Sequence, residues 1–100
     1  MTDQKIVTQL SRDWLTIPQA KLYYAGLKFG PELMARLAKR AGIRRTTAYY
    51  MMQELQRRQF FARRKIGKRT YYIAISLEGL LEMTRQRARL IKKLITELEC

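Results

Sequence analysis

The sequence predicts a mainly α-helical fold with a small β-hairpin: a winged helix-turn-helix followed by a long C-terminal dimerisation helix. Three observations predict it. Residues 41 to 59 hold a glycine turn and then a helix with one apolar and one polar face, a short basic hairpin pattern follows directly, and a heptad-spaced apolar seam closes the chain.

From the start, Thr2 to Leu15 sets Ile6, Leu10 and Trp14 at i, i+4, i+8, which fits a short helix capping the core and also a loosely packed arm. Thr16-Ile17-Pro18-Gln19 has capping-box form, with Thr16 as N-cap, Gln19 at the third helical position and Pro18 in the first turn, where a missing N–H costs nothing. That helix should run to about Phe29 with Ala20, Leu22 or Tyr23, Tyr24 and Leu27 inward, and Gly30-Pro31 stops it. Pro31 then opens another helix, reaching about Ala41, with Met34, Leu37, Ala38 and Ala41 at helical spacing.

Gly42 can supply the positive φ of a tight interhelical turn. Beyond it, turning about 100° per residue from Ala48 brings Met52, Leu55 and Met51 within about 60° of Ala48, while Thr46, Tyr50, Gln53 and Arg57 lie near the opposite pole. An ordinary amphipathic surface helix fits this wheel as well; the charge map and the hairpin favour a recognition helix. Phe60-Phe61 begins an apolar stretch, and Arg63 to Ile75 reads as two strands around Ile66-Gly67-Lys68, the second being the β-branched and aromatic run Thr70 to Ile75. Arg63, Arg64, Lys65, Lys68 and Arg69 surround the tip, either as an edge guarded against aggregation or as a wing that touches nucleic acid.

Ser76 is placed as an N-cap, and Leu77, Leu81, Thr84, Ala88, Ile91, Ile95 and Leu98 follow at spacings of 4, 3, 4, 3, 4, 3. A helix of about 22 residues would be about 33 Å long, too long to lie wholly on so small a domain. Pairing with a second copy is therefore expected, with residues 1–76 as the winged domain and 77–100 as a coiled-coil dimerisation helix. In a parallel pair Arg87 would face Lys92 of the other chain, so an antiparallel register that brings Glu78 or Glu99 to a basic flank is mildly favoured. Leu80, Met83, Leu90 and Leu94 form a second stripe that could fold back on the domain.

Composition narrows the function. The 100 residues carry a net charge of +13, and Leu33 to Leu77 holds twelve Lys or Arg against Glu54 alone. That concentration points to a polyanionic partner. His is absent and Cys100 is the one cysteine, so the commonest general base, an intrachain disulfide and a multi-thiolate metal site are all excluded. No catalytic constellation, metal or cofactor is expected. Neither a membrane-spanning run nor a signal peptide is apparent, so a cytoplasmic location is expected. Cys100 could bridge two chains of a parallel coil, although cytosolic thiols are normally reduced.

Gly30-Pro31, Leu-Ala-Lys-Arg-Ala-Gly-Ile at 37 to 43, Arg45-Thr46-Thr47-Ala48-Tyr49 and Glu54-Leu55 together resemble the winged helix-turn-helix of TrmB-type transcription regulators, over about Leu15 to Ile75. The resemblance implies a dimeric DNA-binding domain whose recognition helix enters the major groove with the wing alongside. Two departures stand out: Arg44 occupies a place where proline or a serine-like cap is usual, and the large effector domain of full-length members does not follow, so sugar sensing is not carried over. The expected partner is double-stranded DNA, read by a homodimer at an inverted repeat. Thr46, Tyr50 and Gln53 would read base edges, while Arg44, Arg45, Thr47, Tyr49, Arg57, Arg64, Lys65, Lys68 and Arg69 would mainly hold phosphates, with Arg63 beside them. Tyr49 could equally pack against the preceding helix. An architectural protein that coats DNA with little sequence preference would use the same surface. RNA binding and membrane association of the tail are weaker alternatives, because no stacking-sheet signature is present and four glutamates line the tail.

Overall fold

The computed structural model describes residues 2–100. Among them it has helices α1 (Thr2–Asp13), α2 (Ile17–Phe29), α3 (Met34–Ala41), α4 (Arg45–Arg57) and α5 (Leu77–Glu99), with strands β1 (Glu32–Leu33), β2 (Phe61–Ile66) and β3 (Arg69–Ala74). The fold is a winged helix: a helical core, a three-stranded antiparallel sheet in the order β1-β3-β2, and a long C-terminal helix.

The capping box starts α2 as expected, Gln19 N–H donating to Thr16 Oγ1 at 3.3 Å and Thr16 N–H to Gln19 Oε1 at 3.0 Å. Leu22 and Tyr23, between which the sequence left a choice, are both fully buried, because α2 is covered on several sides by α1, α3, α4 and β3. Tyr24 and Leu27 pack against the core half-buried. Gly26 is also buried, and a Cβ there would stand 2.7 Å from Phe61 Cε1, so only glycine lets the hairpin base approach this closely. Tyr23 lies at the centre of the core, edge-on to Phe60 (5.4 Å between centroids) and Phe61 (6.1 Å), and its hydroxyl donates to the Ile75 carbonyl at 2.7 Å.

Three expectations need correction. Pro31 does not lead straight into a helix: Glu32 and Leu33 first form β1, paired with Tyr72 and Tyr71 of β3, and α3 begins at Met34. Two residues have no periodicity to read, and their partners lie far downstream. The inward residues of α1 are Val7 and Leu10, with Trp14 just past its end, and Ile6 is not among them. The first hairpin strand begins at Phe61, two residues before Arg63, because its base is anchored in the core. Within α3, Met34, Leu37, Ala38 and Ala41 are the buried residues, as the spacing required.

Ser76 caps α5, accepting from Gly79 N–H at 3.0 Å. Leu80 is buried and Met83 packs beside it, so the first turns of α5 dock on the domain. From Thr84 onward every residue is exposed. The second stripe is thus divided, and the distal helix does not fold back.

Candidate nucleic-acid interface

The approach to α4 is set by a left-handed residue. Gly42 adopts φ 71°, ψ 35°, its N–H donates to Lys39 O at 3.2 Å, and Ile43 N–H donates to Ala38 O at 2.9 Å. These two reversed bonds close α3 and turn the chain into α4. Arg44 precedes α4 with extended backbone and no side-chain cap bond, and no acidic residue stands in the first turn. Helix N-termini favour a hydroxyl or carboxylate cap and repel cations. Arg44 and Arg45 therefore weaken the helix locally while leaving its amide-rich end, with two guanidinium groups, open to an anion.

Ala48, Met52 and Leu55 are buried and Met51 half-buried, which seats α4 by the predicted face. The opposite face is open. Thr46, Thr47, Tyr50 and Gln53 are exposed, Tyr50 at 77%, and Thr46, Tyr49, Tyr50 and Gln53 line one shallow depression. Tyr49 also borders a second groove, shared with Arg45 on α4, Leu33 to Ala35, and Lys68, Arg69, Thr70 and Tyr72 of the hairpin. The Arg45 guanidinium lies 5.8 Å from the Tyr49 ring. Tyr49 thus joins the polar helix face to the wing. Thr70, which the sequence reading did not select, sits in that groove; its place next to Arg69 was the available signal.

The hairpin turns at Gly67, φ 64°. Facing residues of an antiparallel pair share a side of the sheet, so Arg63 (opposite Tyr72) and Lys65 (opposite Thr70) lie on one side, Arg64 (opposite Tyr71) and Arg69 (opposite Ile66) on the other. All are exposed, and β2 is a sheet edge. Lys68 and Arg69 reach the groove beside α4; Arg63, Arg64 and Lys65 stand farther along the edge and do not line it.

Two cations have internal partners. Arg57 donates twice to Glu54, at 3.1 and 2.6 Å, and this pairing holds the Glu54 carboxyl below its usual pKa. Such an exposed, solvent-screened pair is weak enough for a phosphate to displace the glutamate. Arg58 is structural: it donates to the Trp14 carbonyl at 2.8 Å and lies over the Phe60 ring, tying the α1–α2 junction to the end of α4.

A winged helix with an exposed polar face on α4, a groove at its wing and a surplus of cations is the architecture of the winged-helix transcription-regulator families. The family described as sugar-specific transcriptional regulator TrmB matches residues 15–78, and the chain belongs to that family. No curated protein sequence matches the chain. Among solved structures, TrmBL2, described as an archaeal chromatin protein with a novel mode of DNA binding, has a TM-score of 0.78 at 20% identity, over 99% of this chain and 39% of its own. A MarR family transcriptional regulator from Silicibacter pomeroyi DSS scores 0.63 at 15% identity, over 97% of this chain and 65% of its own. The homodimeric winged helix-turn-helix DNA-binding domain of Mb0332 from Mycobacterium bovis, a possible ArsR-family regulator, scores 0.57 at 17% identity, over 93% of this chain and 82% of that fragment. At these identities the likeness shows the fold. Among the described residues, no helix is long and apolar enough to cross a membrane.

Proposed function

We propose that the chain is a transcriptional regulator that binds double-stranded DNA as a homodimer at an inverted repeat, its two copies joined through α5. The observation that carries this reading is the continuous surface in which Tyr49 links the Thr46, Tyr50 and Gln53 face to the groove of Arg45, Lys68 and Arg69. Gln53 has the paired donor and acceptor that match adenine in the major groove, Thr46 suits a thymine methyl or a single hydrogen bond, and Tyr50 is more exposed than its neighbour Tyr49. Arg44, Arg45, Thr47, Tyr49, Lys68 and Arg69 hold the backbone, Arg57 joins them by leaving Glu54, and Arg63, Arg64 and Lys65 meet phosphates farther along the wing.

Support for pairing comes from α5. Leu77, Leu81, Ile91, Ile95 and Leu98 are all at least half exposed, a row of apolar side chains that a second copy would cover. Thr84, the polar member of the seam, donates to the Leu80 carbonyl at 3.0 Å and needs no partner across an interface. A two-fold assembly sets the recognition helices about 34 Å apart, one DNA turn.

Selection of bound fragments from random DNA tests the reading: a recovered palindrome is expected. Gln53→Ala should then relax choice at one base pair in each half-site, and Lys68→Ala should lower affinity for all sequences alike and reduce the salt slope by about one unit. A second reading, an architectural protein with little sequence preference, draws support from the wing cations on both sides of the sheet, which suit backbone contact, and from the likeness to a chromatin protein. Unenriched output from the same selection, with equal affinity for random and selected duplexes, would establish it instead.

A further inference from the structure

A second basic groove lies away from α4 and the wing. It has a volume of about 560 Å³ between α1, α2 and α3, and its charged lining is Lys21 and Lys28 of α2 with Lys39 and Arg40 of α3. All four are exposed, and among the described residues no acidic side chain lines the groove. Arg36 adds a fifth cation, sharing an adjoining hollow with Lys39 and Arg40. None of these residues lines the depression on α4 or the groove at the wing.

The arrangement indicates the ligand. Lys21 and Lys28 are separated by about 10.5 Å of helix, about three phosphate-to-phosphate steps of one DNA strand at about 3.4 Å of axis each, which exceeds what a single phosphate needs. The Arg40 guanidinium lies 3.7 Å from the centre of the Phe29 ring, and Lys28 Nζ is 5.8 Å from that centre. Stacking fixes the plane of the arginine fork before any ligand arrives, which suits paired hydrogen bonds to a phosphate. It also covers one face of the Phe29 ring, which leaves less aromatic surface for a base and favours contact to the backbone.

We propose that Lys21, Lys28, Lys39 and Arg40 form a second, sequence-independent site for DNA phosphates, distinct from the recognition surface. It goes beyond the preceding proposal and does not require sequence preference by α4. The phosphates belong either to the flanks of the duplex already bound or to a second duplex that the protein bridges to the first.

The test compares the full chain with Lys21→Ala/Lys39→Ala/Arg40→Ala. Affinity is measured across salt on duplexes of about two and about four helical turns, and bridging by co-capture of two differently labelled duplexes. We expect the variant to lose about tenfold or more in affinity for the long duplex, or in bridging, with a log–log salt slope smaller by up to about three units. Loss confined to the long duplex assigns the groove to flanking DNA; loss of bridging with two-turn affinity retained assigns it to a second duplex. Wild-type affinity, slope and bridging in the variant would overturn the site. Should the triple variant melt early, Lys39→Glu carries the same comparison, and Arg40→Lys should restore part of the affinity. Arg45→Ala/Lys68→Ala reports on the recognition surface separately: wild-type short-duplex binding there would overturn the earlier reading while leaving this one standing.

Discussion

Helices α2 and α5 begin alike and end in opposite surroundings. Each is opened by a hydroxyl that accepts the third helical amide, Thr16 for α2 and Ser76 for α5. Yet α2 buries Ala20, Leu22, Tyr23, Ala25 and Gly26 within 13 residues, while α5, among its described residues, buries Leu80 alone in 23. Both carry enough apolar side chains to pack. What separates them is reach: α2 is enclosed by four other elements, whereas α5 leaves the domain after Met83 and carries its leucines and isoleucines into solvent. Apolar content therefore tells how much surface a helix must cover, and position tells whether its own chain can cover it.

The contrast can be broken at several points. Leu22 is fully buried, and Leu22→Ala should cost about 2–5 kcal/mol by lost transfer energy and a cavity, while the exposed Leu94→Ala should stay within about 0.5 kcal/mol when measured on dilute protein by urea unfolding. Equal losses would mean that the distal helix is packed after all. Ile91→Asp sharpens the other side: a carboxylate in the seam should weaken self-association about 100-fold, near 2.7 kcal/mol, as read by sedimentation, and leave the unfolding of separated chains almost unchanged. Unaltered association would remove Ile91 from the interface.

Tyr23 gives the enclosed helix α2 a pH-dependent contribution. Burial raises its pKa from 10 to about 12. Below pH 10 the hydroxyl is protonated in folded and unfolded chains alike and its stabilisation is whole; above that the unfolded chain ionises first, so stability falls by up to about 2–3 kcal/mol as pH climbs towards the folded value. Tyr23→Phe should flatten that decline in unfolding curves compared at about pH 9 and about pH 11.5. An identical decline in the variant would assign it to other groups. A smaller loss is expected at Gly26, where alanine would gain about 1 kcal/mol of helix propensity but meet Phe61 at 2.7 Å and Ala74 at 2.9 Å. Overpacking costs about 1–3 kcal/mol, so Gly26→Ala should lower stability by about 1 kcal/mol and reduce the melting temperature by several degrees. A higher melting temperature would show that the ring swings aside freely.

Much of the fold could be read residue by residue because its signals are local. The Thr16–Gln19 box, the four inward residues of α3, the Ala48 face of α4, the Gly67 turn and the Ser76 cap each depend on residues only a few positions apart. β1 could not be read: two residues have no period, and Glu32 and Leu33 become a strand only because Tyr72 and Tyr71 arrive beside them. The choice of Val7 over Ile6 in α1 was equally hidden, since either fits a helix and only the tilt of α1 on α2 selects one. For the candidate interface, the residue types on α4 and the hairpin were legible, but the role of Tyr49 as the join between them was not. Neither was the loss of Arg58 to the Trp14 carbonyl, a contact across 44 residues.

Sequence alone determined the periodicities, the caps, the charge surplus between Leu33 and Leu77, and the absence of histidine, because each follows from side-chain chemistry and spacing along one chain. The tertiary structure decided which cations share a surface, which are consumed by internal partners and which apolar stripe is left without cover. Those outcomes depend on distances between segments far apart in the chain, and only the packing of helices around Tyr23 and Phe60 sets such distances.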